Sequence, residues 1–173
     1  GALSVVLVAF LLVWNTGIIQ RNAAAVTVDG EKYSAADVQY YLRSLMLQNG
    51  ISSTSSLKSM TMNSTTGETM YDYLKSQAVE RLVTCAALDK QAAEEGFTMS
   101  DDTQTEVDDQ LKQLEEQWVS AGYQSRDAFI RANYGPYMTY DRLVELFTRD
   151  MLVNEYATQF SDSLSYSDAD YEQ

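Results

Sequence analysis

The segment VTVDGEKYSAAD, residues 26–37, carries the two local signals from which the fold can be worked out. β-Branched residues flank the pair Asp29-Gly30, and a type I′ turn needs two residues that tolerate positive φ. Ser34 is followed three residues later by Asp37, a capping box with Asp in place of the usual Glu. The segment therefore predicts a short β-hairpin or extended segment, and then a first helix from about Ser34 to Gln48 that ends at Asn49-Gly50.

Four further helices follow from apolar spacing and from start and stop signals along the chain. The second ends before Gly96, the third opens with Ser100-Asp101-Asp102, and Gly135-Pro136 ends the fourth. We expect a mostly α fold, with a bundle of about five helices over residues 34–164. The second predicted helix spans residues 68–95, and the third begins at about residue 100 with an apolar seam that reaches Trp118. The last two span about 125–134 and about 139–162.

Residues 51–67 separate the first two helices and contain mainly serine and threonine with almost no charge. Because no periodicity is sustained there, we expect a mobile loop. It contains Asn63-Ser64-Thr65, a formal glycosylation sequon that is common by chance.

The first charged residue of the chain is Arg21, and residues 1–20 are almost wholly apolar. A stretch of about 20 such residues is long enough for a transmembrane helix, and Trp14 suits the membrane interface. A buried core helix normally has a polar face, which this stretch lacks. A cleaved signal peptide is the other alternative, but the small residues at 23–25 lie too far beyond the apolar core. We expect a membrane anchor over residues 1–20, joined to the helices by a linker and short β segment at residues 21–33.

The sequence begins with Gly1 rather than methionine, so we expect a preceding flank in the parent protein. Residues 165–173 resemble a capped helix start, which predicts a truncated helix leading to a further domain.

The composition excludes several classes of function. With 12 Lys+Arg against 25 Asp+Glu, one cysteine and no histidine, the chain cannot form the usual Ser-His-Asp, Cys-His or zinc sites, and its charge of −13 opposes nucleic-acid binding. We expect no catalytic, cofactor-binding or metal-binding residues, although an Asp/Glu acid-base mechanism is not excluded by composition alone. Cys85 lies on an apolar helix stripe and is expected to be buried and unreactive. The carboxylates of residues 101–116 are best explained as a solvated helix face.

Two motifs resemble those of a known family. The stretch VDGEKYS, residues 28–34, is similar to the pattern V-N-G-x-x-I/Y-[ST], with Asp for Asn, and residues 134–139 (YGPYMT) resemble Y-G-x-x-M-[ST]. Together with the order of the predicted elements, and the closing stretch YSDADY at residues 166–171, they resemble the N-terminal chaperone domain of SurA/PrsA-like foldases, in the membrane-anchored branch of Gram-positive bacteria.

The resemblance implies an extracytoplasmic, single-pass membrane protein whose helical domain binds unfolded secreted polypeptides. Such domains are frequently followed by a parvulin-type peptidyl-prolyl isomerase domain. The catalytic histidines of that domain have no counterpart here, so isomerase activity would belong to the parent protein.

Client binding by such a domain needs exposed apolar side chains rather than a precise constellation. The chain has twelve tyrosines and seven methionines, and core packing explains most of them. The candidates expected to lie in loops, and so to be exposed, are Met60, Met62, Tyr134, Tyr137 and Met138. The alternative function is a membrane-tethered structural or assembly subunit that docks one folded partner through the narrow apolar seam from Val107 to Trp118.

Overall fold

The computed structural model describes residues 24–163. The predicted anchor at residues 1–20, the first residues of the predicted linker and the predicted helix start at residues 165–173 lie outside this range. Among residues 24–163, no helix is both long and apolar enough to cross a bilayer.

The predicted hairpin is present. Strand β1 (Ala24–Val28) pairs in antiparallel fashion with β2 (Glu31–Ser34), and Val28 lies opposite Glu31. The connecting residues Asp29 and Gly30 have φ values of 49° and 90°, as a turn with two left-handed residues requires. Val26, Val28 and Tyr33 are buried, so one face of the hairpin covers the helical core.

Helix α1 (Ala35–Gln48) begins and ends where the sequence predicts. The Ser34 side chain accepts a hydrogen bond from the Asp37 backbone N–H, and the Asp37 carboxylate accepts one from the Ser34 N–H. Both halves of the capping box are therefore formed, with Asp serving as well as the usual Glu.

The prediction of a loop without secondary structure at residues 51–67 is wrong. This segment forms helix α2 (Thr54–Ser59) and strand β3 (Thr61–Asn63), which pairs with β4 (Glu68–Thr69). The Ser53 side chain caps α2, and the Asn63 carboxamide accepts hydrogen bonds from the N–H groups of Thr65 and Thr66. Short polar side chains thus accept hydrogen bonds from backbone N–H groups of this segment and stabilise its turns without a sustained apolar pattern.

Helices α3 (Met70–Glu94), α4 (Asp101–Ser120), α5 (Arg126–Tyr134) and α6 (Tyr140–Ser163) complete the fold. Where the prediction gave a bound, it agrees with the structure to within two residues, and α2 raises the number of helices in residues 24–163 to six. The chain is mostly helical, as predicted.

The core lies where α3 packs between α1 and α6, with the first hairpin against α3. Helix α4 packs mainly on α6 and only Val107 of its 20 residues is buried. A helix held by so narrow a contact leaves open space beside it.

Candidate functional site

An open cleft of about 360 Å³ lies between α1, α4 and α6. Tyr134 of α5 and Arg81 of α3 also contribute to its lining. The lining consists of Tyr40, Ser44, Leu47, Gln48, Arg81, Gln110, Leu111, Gln113, Leu114, Gln117, Tyr134, Leu143, Phe147, Asp150, Met151 and Asn154.

The floor of the cleft is apolar because each of its long helices turns one stripe toward it. Leu143, Phe147 and Met151 follow one another at four-residue spacing and share a face of α6. Leu111 and Leu114 face them from α4, and both are only partly covered. The apolar seam of α4 is therefore incompletely filled by the chain itself.

The mouth of the cleft is rich in uncharged hydrogen-bonding groups. Gln110, Gln113 and Gln117 project from α4 at helical spacing, and Asn154, Ser44 and Gln48 stand on the other helices. Carboxamides donate and accept hydrogen bonds, as the peptide groups of an extended chain also do. An apolar floor with an amide-rich mouth matches a polypeptide segment with apolar side chains.

The inner end of the cleft is fixed by a buried polar cluster around Asp150. The carboxylate accepts hydrogen bonds from Tyr40 Oη (3.1 Å), Tyr41 Oη (2.7 Å) and Cys85 Sγ (3.1 Å), and so joins α6 to α1 and α3. Burial, and after it the Asp150 carboxylate, raises the pKa of both phenols above the usual value and that of the Cys85 thiol to about 12. All three groups stay protonated at neutral pH and donate to Asp150.

This cluster positions helices and offers no reactive group. A thiol with a pKa near 12 has almost no thiolate at neutral pH, and the prediction that Cys85 is buried is confirmed. Within residues 24–163, no group of three potential metal ligands lies together.

Two arginines also attach α6 to α1 and to the first hairpin. Arg149 donates to the hydroxyls of Tyr33 (3.1 Å) and Tyr41 (3.3 Å). Arg142 Nε donates to Asp37 Oδ1 over 2.7 Å, and this carboxylate also caps α1. The wall of the cleft formed by α6 is thus bonded to both α1 and the first hairpin.

The outer wall, α4, is held near its two ends. The Ser100 N–H at its N-terminus donates to Glu155 Oε2 over 3.1 Å. Toward its C-terminus, Glu115 pairs with Arg126 at 2.9 Å, and the guanidinium of Arg126 lies 3.6 Å from the centre of the Tyr140 ring. Between these attachments α4 borders the cleft.

The five residues predicted to be exposed differ in their burial and in whether they line the cleft. Met60 and Met62, beside and within β3, are about half exposed, but they lie outside the cleft. Tyr134 belongs to α5 rather than to a loop, stacks near Tyr40 with ring centres 6.3 Å apart, and lines the cleft. Tyr137 is half-buried against the core.

The exposure predicted for Met138 is wrong, because this side chain is only 1% exposed. The turn between α5 and α6 lies against α1 instead of protruding. A Cβ placed on Gly135 would lie 2.9 Å from Gln39 Cγ, which shows how closely the turn and α1 approach.

Sequence reasoning missed most of the cleft, including Leu47, Phe147 and Met151. One signal was present: glutamines at positions 110, 113 and 117 alternate with leucines at 111 and 114, an uncharged face on an otherwise acidic helix.

Comparison with known protein families gives a match over residues 1–157 to the model described as the SurA-like N-terminal domain. Comparisons with curated proteins and with solved structures gave no significant match.

Proposed function

Because the chain belongs to the SurA-like N-terminal domain family, we propose that it is a chaperone-like domain whose cleft binds unfolded segments of other polypeptides. The observation that carries this proposal is the open cleft with its apolar floor and amide-rich mouth. Its volume of about 360 Å³ lies within the range of about 300–1,000 Å³ that is usual for ligand sites.

The cleft supports binding rather than catalysis. Asp150 is the carboxylate that lines it, and three donors already occupy its oxygens. Arg81 donates to Gln48 Oε1 over 3.2 Å. Recognition there would rest on burial of apolar surface and on hydrogen bonds to the peptide backbone, which suits a site that accepts many sequences.

The full chain is expected to delay aggregation of a reduced, denatured client at equimolar ratio, measured by light scattering. No delay at several-fold excess over the client would contradict the proposal.

Leu47→Gln tests the location. The Leu47 side chain lines the cleft and is 53% exposed, so the fold loses little when it changes. A bound client would cover the exposed half of this side chain, worth about 1 kcal/mol, so we expect binding of a fluorescent unfolded client to weaken about fivefold.

Val119→Gln is the matched control. Val119 is 64% exposed on α4 but does not line the cleft. Its replacement should leave client binding unchanged, and equal losses in both variants would show that clients bind elsewhere.

The alternative of docking one folded partner rested on the seam from Val107 to Trp118. Val107 is buried and Trp118 packs against the chain's own core, whereas Leu111 and Leu114 line the cleft, so the free part of this seam belongs to the cleft itself. A pull-down with the full chain separates the two functions: a spectrum of unfolded clients supports the chaperone, and one stoichiometric partner supports docking.

We also propose that residues 1–20 tether the domain to the cell membrane and that the domain lies outside the cytoplasm. The absence of charge before Arg21 supports this. Protease added to intact cells stripped of their wall should digest the domain, whereas protection until lysis would place it inside.

A further inference from the structure

The negative charge of the chain is concentrated on the outer wall of the cleft. Helix α4 carries seven acidic residues and one basic residue, Lys112, and its net charge of −6 is nearly half of the −13 of the chain. Its acidic side chains are exposed, apart from the partly covered Glu115.

Helical spacing places three of these carboxylates along the lip of the cleft. Asp109 and Glu116 are the i−4 and i+3 neighbours of Gln113, which lines the mouth. Glu106 lies four residues before Gln110 and accepts a hydrogen bond from its carboxamide over 3.2 Å. A client leaving the cleft over α4 therefore passes directly beside negative charge.

The residues that line the cleft carry much less charge than the lip. Its floor is apolar and its mouth uncharged, and in the part of the chain that the structure describes Arg81 is the basic residue of the lining, bonded to Gln48 on the opposite wall. The apolar stretch of a client would thus lie in a largely uncharged cleft, and the residues that flank this stretch would lie beside the acidic lip.

We infer that the cleft prefers unfolded segments in which an apolar stretch is flanked by lysine or arginine. This inference rests on the proposed function and names its client class. Opposite charges at the lip accelerate encounter and add affinity at short range, whereas acidic flanks meet repulsion. The negative charge of the domain would then favour clients with basic flanks over clients with acidic flanks.

The test uses three fluorescent peptides with one apolar core and flanking pairs of lysine, glutamine or glutamate. Binding is measured by anisotropy with the full chain in nanodiscs of zwitterionic lipid, and empty nanodiscs correct for lipid binding. At low ionic strength we expect the lysine-flanked peptide to bind about tenfold more tightly than the glutamate-flanked one, with the glutamine-flanked one between them. Because the lip is exposed to solvent, about 0.5 M salt should remove most of the difference.

The variant Asp109→Asn/Glu116→Gln should reduce the tenfold preference to about threefold and leave the glutamine-flanked peptide unaffected. The matched control Glu68→Gln/Glu94→Gln removes the same charge at exposed positions, each 13 residues from Arg81 along the chain. Neither residue lines the cleft, so this pair should not change the preference.

Equal binding of the three peptides would overturn the inference while leaving the proposed function intact. The inference would also be overturned if the control pair reduced the preference as strongly as the lip pair, because the preference would then come from net charge alone. Binding of none of the peptides would overturn the proposed function together with the inference.

Discussion

Asp37→Ala tests how α6 is fixed to the start of α1. The Asp37 side chain is 2% exposed and serves two partners: it accepts from the Ser34 N–H over 2.6 Å and from Arg142 Nε over 2.7 Å. One carboxylate thus completes a helix cap and neutralises an arginine of another helix.

The expected loss follows from these two roles. Loss of a cap typically costs about 1 kcal/mol. Breaking a buried ion pair costs about 3–5 kcal/mol, but Arg142 remains 27% exposed and keeps its pair with Glu145 at 2.7 Å, so we expect about 1.5 kcal/mol from this term. The total of about 2.5 kcal/mol corresponds to a Tm lower by about 8 °C, at an unfolding entropy of about 2.1 cal/mol/K for each of roughly 140 residues.

Thermal unfolding of the full chain, followed by far-UV circular dichroism, measures this shift. Asp72→Ala is the matched control, because Asp72 closes the same kind of capping box with Thr69 at the start of α3 but is exposed and pairs with no arginine among residues 24–163. Its Tm should fall distinctly less. Equal shifts in both variants would refute the contribution assigned to the Asp37–Arg142 pair.

The remaining predictions concern single side chains. Cys85, whose pKa is raised to about 12, should resist alkylation by iodoacetamide at pH 8 in the native chain and react fully in urea, as mass spectrometry would show; rapid native labelling would contradict its burial. Met138→Ala should lower the free energy of urea unfolding by about 2–5 kcal/mol, whereas Met62→Ala at a half-exposed site should change it by less than about 0.5 kcal/mol. Gly135→Ala should destabilise by about 1–3 kcal/mol, because Gly135 has φ 108° and an added Cβ would meet Gln39; an unchanged urea midpoint would show that the turn can move away.

The parts of the fold that sequence predicted well are those that neighbouring residues determine. Asp29-Gly30 specifies a turn through φ alone, and Ser34 with Asp37 specifies a helix start through hydrogen bonds three residues apart. The prediction for residues 51–67 failed because the hairpin there depends on side-chain capping by Asn63, which a search for hydrophobic periodicity does not detect.

The cleft could not be predicted from local sequence patterns, because its residues come from distant parts of the chain. Leu47 and Met151 are more than 100 residues apart, and only the packing of α6 brings them to one site. The neighbours of Met138 predicted an exposed turn, whereas the structure places this side chain in the core cluster, which residues distant in the sequence form. Composition indicated that apolar contact surface exists, and the tertiary arrangement decided which residues provide it.

The hydrogen bond between Tyr41 and Asp150 spans 109 residues, and this separation has a consequence for synthesis. At about 5–20 residues per second, a ribosome adds Asp150 roughly 5–20 s after Tyr41. From the synthesis of α3 until α6 is made, the side of α3 against which α6 packs stays uncovered. A domain that we propose shields the unfolded chains of others therefore passes, each time it is made, through the same unprotected state as its clients.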